Sequence, residues 1–253
     1  MPIKTIDNEE MKRRSLAGSV GIGFFLLGMV FVCVAFGTPN WLVSDPRITG
    51  ARLDKFGLWT HCFRSLPDPQ DINQRRFFVG CRWIYDPFTT GYDEIRGFLV
   101  PGFMVATQLF FTLCFICVII STVLVLVYYL CAGPDQTWFV QMVQIISWLL
   151  LIGGICGGIA VIVFVTCANT KAVFLFFAVA VFGGSHARRD WLMYPNFNYL
   201  SWSYGMAVLS FFFHAFAAIS LYREARLSYE VRKESWNLIR QMQSSEQHYP
   251  GYI

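Results

Sequence analysis

The chain has 253 residues, of which 55% are hydrophobic, 17% aromatic and only 14% charged, whereas a typical soluble domain carries roughly 25% charged residues. This balance excludes a disordered chain and an ordinary soluble domain, and the net charge of +4 is too small and too spread out to indicate nucleic-acid binding. Residues 15–44, 97–134 and 191–222 contain no Asp, Glu, Lys or Arg. Stretches of that length predict helices that cross a bilayer, so the sequence indicates a polytopic membrane protein.

The apolar stretches predict four spans. The first, from Leu16 to Phe36, is too long for the apolar part of a cleaved signal peptide. Ala172–Gly184 is apolar but too short for a crossing, so we interpret it as a prolongation of the third helix or a buried loop segment rather than a fifth span. In chain order the predicted segments are an N-terminus (1–15), a first span (16–37), a first outer loop (38–99), a second span (100–130), an inner turn (131–141), a third span (142–168), a second outer segment (169–199), a fourth span (200–222) and a tail (223–253).

Basic residues next to the first and last spans predict the orientation. An even number of spans places both termini on one side, and an excess of Lys and Arg marks that side as cytoplasmic. The two outer segments are then extracellular, and the lipid bilayer is the first predicted partner. The basic residues that support this orientation are Lys4, Lys12, Arg13, Arg14, Arg223, Arg226, Arg232, Lys233 and Arg240.

Two cysteines, Cys62 and Cys81, lie in the first outer loop. An extracellular segment is exposed to an oxidising compartment, which favours a disulfide between them. On the chain-entropy model such a bond contributes roughly 3 kcal/mol. Two free thiols are the alternative. A zinc site is weaker still, because His61 would give only a third ligand and no paired Cys-x-x-Cys spacing is present.

The residues around these cysteines predict an antiparallel hairpin. Phe56–Phe63 and Phe77–Tyr85 are rich in aromatic residues, as strands are, and Ser65–Pro69 between them has the composition of a turn. The predicted fold class is therefore an all-α four-helix transmembrane bundle that carries a small extracellular antiparallel β-sheet.

One set of residues in the first outer loop and at the start of the second span forms a recognisable pattern. Its members are Trp41, Gly57, Leu58, Trp59, Cys62, Cys81 and Arg96. The pattern resembles the W…GLWxxC…C signature of claudins, and Arg96 resembles the arginine that claudins carry at the entrance to the second span. Peripheral-myelin-type proteins and channel-associated gamma subunits share the GLW and cysteine core.

The resemblance implies a function in cell junctions. Claudin-like proteins associate with themselves and with each other, side by side and between cells, and limit paracellular diffusion. The interval between Cys62 and Cys81 is longer, and the segment Ala172–Asn198 more apolar, than in vertebrate claudins. In both respects the chain resembles insect septate-junction proteins. The alternative is an auxiliary subunit that regulates an ion channel or receptor.

Glycines and one histidine inside the spans are candidate packing residues. Gly153 and Gly157, and Gly154 and Gly158, form two overlapping small-xxx-small pairs in the third span, which lets helices approach closely within the bundle or between molecules. His214 in the fourth span is an intramembrane ionisable group. It has no acidic partner in any span, so we interpret it as a hydrogen-bonded packing residue rather than a proton relay.

Three further features concern ion selectivity, a scaffold and a lipid anchor. Arg82 follows the second loop cysteine, where claudins often set ion selectivity; it would disfavour cations, or it is simply solvated or paired with Asp86. Tyr252 and Ile253 end the chain as a ligand for a PDZ scaffold would. Cys131 at the inner face is either a palmitoylation site or a plain buried thiol.

Chemistry inside the membrane is not predicted. The sequence contains no GxSxG, no HExxH and no glycine-rich phosphate loop, and no acidic residue lies within the predicted spans. We therefore expect neither an enzyme nor a cofactor.

Overall fold

A computed structural model describes residues 16–47, 52–67, 71, 73, 75, 77–85, 100–130, 138–168 and 198–247. Within these ranges the chain forms four long helices, which we call α1 to α4. All four are long and apolar enough to cross a membrane, which confirms the helical part of the predicted fold class. They are α1 (Leu16–Gly37), α2 (Gly102–Leu130), α3 (Phe139–Ala168) and α4 (Trp202–Gln247).

Small residues allow close contacts between the helices. A Cβ atom on Gly21 of α1 would lie only 3.0 Å from Leu221 of α4, so α1 and α4 pack with their backbones close together. The Ser147 hydroxyl of α3 donates a hydrogen bond of 2.8 Å to the Ala218 carbonyl of α4. Because lipid tails are as apolar as the side chains, such packing and hydrogen bonds hold the helices together.

The last helix is much longer than a bilayer crossing. α4 continues without a break from Trp202 to Gln247, so the predicted fourth span and the helical part of the predicted tail are one helix. Ala225 is its last fully buried residue, and from Arg226 to Ser244 the side chains are exposed or half-buried. This part of α4 therefore extends past the bundle as a single helix.

Five short strands form one antiparallel sheet in the order β4-β3-β2-β1-β5. The sheet lies at the end of the bundle where α1 ends and α4 begins, since β1 follows α1 and β5 precedes α4. The strand β5 comes from the second predicted loop, so both loops contribute to one sheet. The strands are β1 (Leu42–Ser44), β2 (Leu53–Phe56), β3 (Thr60–Pro67), β4 (Phe77–Trp83) and β5 (Asn198–Leu200).

The predicted hairpin exists as β3 and β4, but its boundaries were wrong. Phe56 ends β2, and a turn at 57–59 separates it from β3, because these turn residues dock on the helices as described below. The predicted turn began too early, since Ser65 to Pro67 still belong to β3. Tyr128 near the end of α2 is buried against Phe139 of α3, with ring centroids 5.3 Å apart.

Several predicted sites lie outside the described residues. They are Arg96, Asp86, the candidate palmitoylation site Cys131, the apolar segment Ala172–Gly184 and the terminal pair Tyr252 and Ile253.

Candidate functional site: the sheet and its seat on the bundle

Trp41 joins the sheet to all four helices. Its indole Nε1–H donates a hydrogen bond of 2.7 Å to the Ala35 carbonyl of α1, and its ring is fully buried. The ring packs edge-on against Phe111 of α2 at 5.2 Å, Phe164 of α3 at 5.0 Å and Tyr204 of α4 at 5.9 Å between centroids. A single side chain just before β1 therefore contacts every helix.

The backbone of Trp41 also links strands from both loops. Its N–H donates to the Phe56 carbonyl and its carbonyl accepts from the Ser201 N–H, each at 3.1 Å. The first contact continues the pairing of β1 with β2, and the second reaches the start of α4. Backbone and side chain together fix the orientation of the sheet on the bundle.

The turn at Gly57 and Leu58 fits against the helix ends. The Gly57 N–H donates to the Thr60 carbonyl at 3.0 Å, and a Cβ atom on Gly57 would lie 2.5 Å from the Pro39 Cα. A side chain at position 57 would therefore force the Pro39 backbone or the turn to shift. Leu58 is fully buried, and its carbonyl accepts a hydrogen bond of 2.6 Å from the Gln108 side chain of α2.

Trp59 packs along the upper end of α1. Its ring lies 5.4 Å from the Phe36 ring of α1 and 6.3 Å from the Tyr85 ring. The Ile84 N–H donates to the Trp59 carbonyl at 2.9 Å. In the GLW motif, the glycine lets the turn approach the Pro39 backbone, the leucine is buried beside α2, and the tryptophan connects the hairpin to α1.

A disulfide joins β3 to β4, which confirms the predicted pairing. Cys62 and Cys81 lie directly opposite each other in the strand register and are bonded. Both strands are therefore held at a fixed register. Because the bond restricts the unfolded chain, it stabilises the hairpin by roughly 3 kcal/mol.

His61 is a packing residue of the sheet. It is fully buried and stacks on Phe56 with ring centroids 4.1 Å apart. Burial lowers its pKa to about 3, so the ring is neutral at physiological pH. Among the residues that the structure describes, no three His, Cys, Asp or Glu side chains are placed to hold a metal ion.

An arginine ties the middle strands together, which the sequence did not indicate. The Arg64 Nε of β3 donates to Asp54 of β2 at 3.1 Å. Its terminal nitrogens donate to the carbonyls of Ser44 and Asp45 in and after β1, each at 3.2 Å. One side chain thus crosses three strands. No local sequence motif predicts these contacts of Arg64, because its partners come from separate parts of the loop.

Arg82 lies on the partly buried face of β4. It follows Cys81 and is paired in register with His61. Its guanidinium carbon lies 5.7 Å from the centroid of the Phe78 ring, a geometry in which the ring face attracts the cation. The predicted selectivity residue is therefore a half-buried cation rather than a fully solvated one.

The glycine pairs of α3 face two different helices. A Cβ on Gly153 or Gly157 would lie 3.0 and 3.1 Å from Cys117 and Cys114 of α2, respectively. A Cβ on Gly154 would lie 3.6 Å from His214 of α4, and one on Gly158 would lie 3.0 Å from Phe211 of α4. Both glycine pairs therefore pack against neighbouring helices of the same bundle.

His214 and Glu224 are buried polar residues of α4. The His214 Nδ1 lies 2.8 Å from the Ser210 carbonyl one turn earlier, and its ring packs against Gly28 of α1. Glu224 is almost fully buried. Its side chain packs against Gly18 of α1, where an added Cβ atom would lie 3.0 Å from the Glu224 Cδ. The burial of Glu224 is not predictable from the sequence, because Glu224 directly follows Arg223 in a charged region.

These features define a class of membrane protein: a four-helix bundle that presents a disulfide-bonded antiparallel sheet at one end. The sequence model of the PMP-22/EMP/MP20/Claudin tight junction family matches residues 26–222. The chain belongs to this family, whose members are structural membrane proteins. A comparison with curated proteins finds no significant match.

Proposed function

We propose that the protein is a claudin-like junction component, which associates with copies of itself and with related proteins, laterally and between cells, to build a paracellular diffusion barrier in epithelia. Family membership supports this proposal. The feature that carries it is the sheet, which is locked to the bundle through Trp41 and across its own strands by the disulfide. A rigid surface loses little conformational entropy when it binds a neighbour.

The proposal places the sheet outside the cell and both termini in the cytoplasm of the plasma membrane. The Cys62–Cys81 bond supports it, because disulfides persist in oxidising compartments and are rare in the cytosol. The basic residues of the N-terminus and of α4 beyond Tyr222 support it as well. Protease protection of tags placed at either terminus of the protein in intact cells is the direct check.

Imaging and depletion in an epithelium test the function. A tagged copy is expected to concentrate at lateral cell contacts, and depletion is expected to let a small dye pass between the cells. A diffuse or synaptic distribution without dye leakage would favour the auxiliary subunit of a channel or receptor. The longer interval between the loop cysteines leads us to favour a septate over a tight junction, so co-localisation with a septate-junction marker is the further expectation.

Arg82 is the residue that we propose for ion selectivity. A fixed positive charge beside a narrow passage repels cations, and its cation–π contact with Phe78 holds the side chain in place. Replacing Arg82 by Glu is expected to raise the permeability of the epithelial sheet to cations relative to anions. Arg82→Lys keeps the charge and serves as the matched control. Unchanged ion selectivity in Arg82→Glu would refute the role.

The ends of the cytoplasmic segments carry two further proposals. Tyr252 and Ile253 bind a PDZ scaffold by adding a strand to its sheet, so deletion of the last three residues should abolish binding.

Cys131 is palmitoylated, so the Cys131→Ser variant should no longer incorporate a labelled fatty acid. Scaffold binding or labelling at the wild-type level would refute the respective proposal.

A further inference from the structure

The edge strand β4 has one apolar face that is exposed. Phe78 of β4 and Ile84 just after the strand are buried, whereas Phe77, Val79 and Trp83 of β4 and Tyr85 just after it are exposed. Val79 is 62%, Trp83 54% and Tyr85 45% exposed. The two ends of this row differ in chemistry. Phe77 and Val79 have purely apolar side chains, whereas Trp83 and Tyr85 combine an apolar ring with a polar tip.

Aromatic contacts place Trp83 and Tyr85 at the level of the helix ends. Phe36 belongs to the last turn of α1, the Trp59 ring lies 5.4 Å from it, and the Tyr85 ring lies 6.3 Å from Trp59. The Trp83 ring follows at 5.7 Å from Tyr85. The row therefore begins beside the helices, and Phe77 lies at its far end, about 20 Å along the strand at 3.3 Å per residue.

Two exposed aromatic residues of α4, one before and one after its apolar part, indicate where the membrane surfaces meet the bundle. Trp202 at its start and Tyr222 further along are both exposed, and they are about 20 residues or about 30 Å apart at 1.5 Å per residue. That distance equals the thickness of the hydrocarbon core, at whose two boundaries Trp and Tyr concentrate. The level of Trp202 marks the boundary at the sheet end of the bundle.

We propose that Trp83 and Tyr85 insert into the lipid headgroup region of the bilayer that the protein spans, and that they tether the base of β4 to this membrane. Trp and Tyr side chains suit this region, because at membrane interfaces their rings lie at the acyl boundary and their polar groups lie among water and headgroups. The far end of β4, with Phe77 and Val79, stays out of the membrane. The bilayer thus supports the β4 edge of the sheet, and Trp41 supports the strands nearer β5. The inference depends only on the spans and holds whether or not the protein builds a junction.

Site-specific photocrosslinking in lipid vesicles tests the proposal. The full-length protein is reconstituted in phosphatidylcholine vesicles with p-benzoylphenylalanine, a photoreactive residue, at position 83 or 85. The matched control carries it at position 79, on the same face of the same strand. Mass spectrometry of the peptide that contains β4 then measures how much of it carries a lipid adduct.

We expect a lipid adduct when the photoreactive residue is at position 83 or 85, and no lipid adduct when it is at position 79. Equal adducts at positions 79 and 83 would overturn the proposal, because the whole strand would then lie on the membrane. No adduct at positions 83 and 85 would overturn it as well. So would a crosslink from position 83 to a second copy, since that face would then be an interface between molecules. The intact Cys62–Cys81 bond in each variant shows that the sheet is folded.

Discussion

Replacing Trp41 by Ala should destabilise the protein more than any other single truncation in the sheet. The indole is fully buried, and a buried tryptophan removes about 150–250 Å² from water, or about 4–6 kcal/mol at 25 cal/mol per Å². The variant also loses the hydrogen bond to Ala35, for about 1 kcal/mol. Because neighbouring rings partly refill the space, we expect a net loss of about 3–5 kcal/mol.

The assay is thermal unfolding of the purified protein in detergent, with a midpoint about 10 °C below that of the wild type. Trp41→Phe retains most of the ring packing but not the hydrogen bond, so it should lose only a small part of that stability. Trp236→Ala is the matched control, because Trp236 is 60% exposed on the part of α4 beyond the bundle. If Trp41→Ala unfolded at the same temperature as Trp236→Ala, Trp41 would not hold the sheet to the helices.

Three further changes test other parts of the structure. Replacing both Cys62 and Cys81 by Ser should reduce the free energy of unfolding by roughly 3 kcal/mol and increase hydrogen exchange in β3 and β4; wild-type exchange would argue against the constraint. Gly57→Ala should reduce the free energy of unfolding by about 1–3 kcal/mol through overpacking, because its Cβ would lie 2.5 Å from the Pro39 Cα. Gly102→Ala is the matched control. It should leave the free energy of unfolding unchanged in the same assay, since no atom lies within 4 Å of the added Cβ. Burial lowers the folded-state pKa of His61 to about 3, so the imidazole of the unfolded chain takes up a proton at a higher pH, and the protein loses stability as the pH falls from about 6.5 towards 3. The His61→Phe variant should lose that part of the pH dependence of the thermal unfolding midpoint. An unchanged pH dependence would contradict the buried, neutral state of His61.

The helical part of the fold was predictable because lipid imposes a simple rule. A bilayer requires about 20 apolar residues per crossing, and long charge-free stretches such as 15–44 satisfy it without reference to any other part of the chain. The end of α4 was less predictable. α4 continues to Gln247 because a helix can extend into water, where composition no longer limits its length.

The sheet was only partly predictable, because its pairing is not local. Cys62 and Cys81 revealed β3 and β4 through their chemistry and spacing. The strands β1, β2 and β5 are only three or four residues long, too short for alternation to identify them. β5 pairs with β1 across a large sequence separation, and such a pairing is visible only once the helices bring the two loops to the same end of the bundle.

The roles of the motif residues also depended on the fold. Trp41 and Gly57 were identified through a family pattern. That pattern does not reveal that Trp41 contacts all four helices, or that Gly57 lies too close to the Pro39 backbone for a side chain. Arg64 and Glu224 carry no motif at all. Their importance comes from burial and from partners on other strands or helices, which no window of sequence contains.

The central claim, that this sheet builds a barrier between cells, is tested most directly by tracer flux across an epithelium depleted of the protein. The account predicts that flux of a small uncharged dye rises on depletion and returns to normal when the wild-type chain is re-expressed. A variant with Cys62 and Cys81 both replaced by Ser, which lacks the bond between β3 and β4, should reach the cell surface and fail to restore the barrier. Unchanged flux after complete depletion would contradict the account.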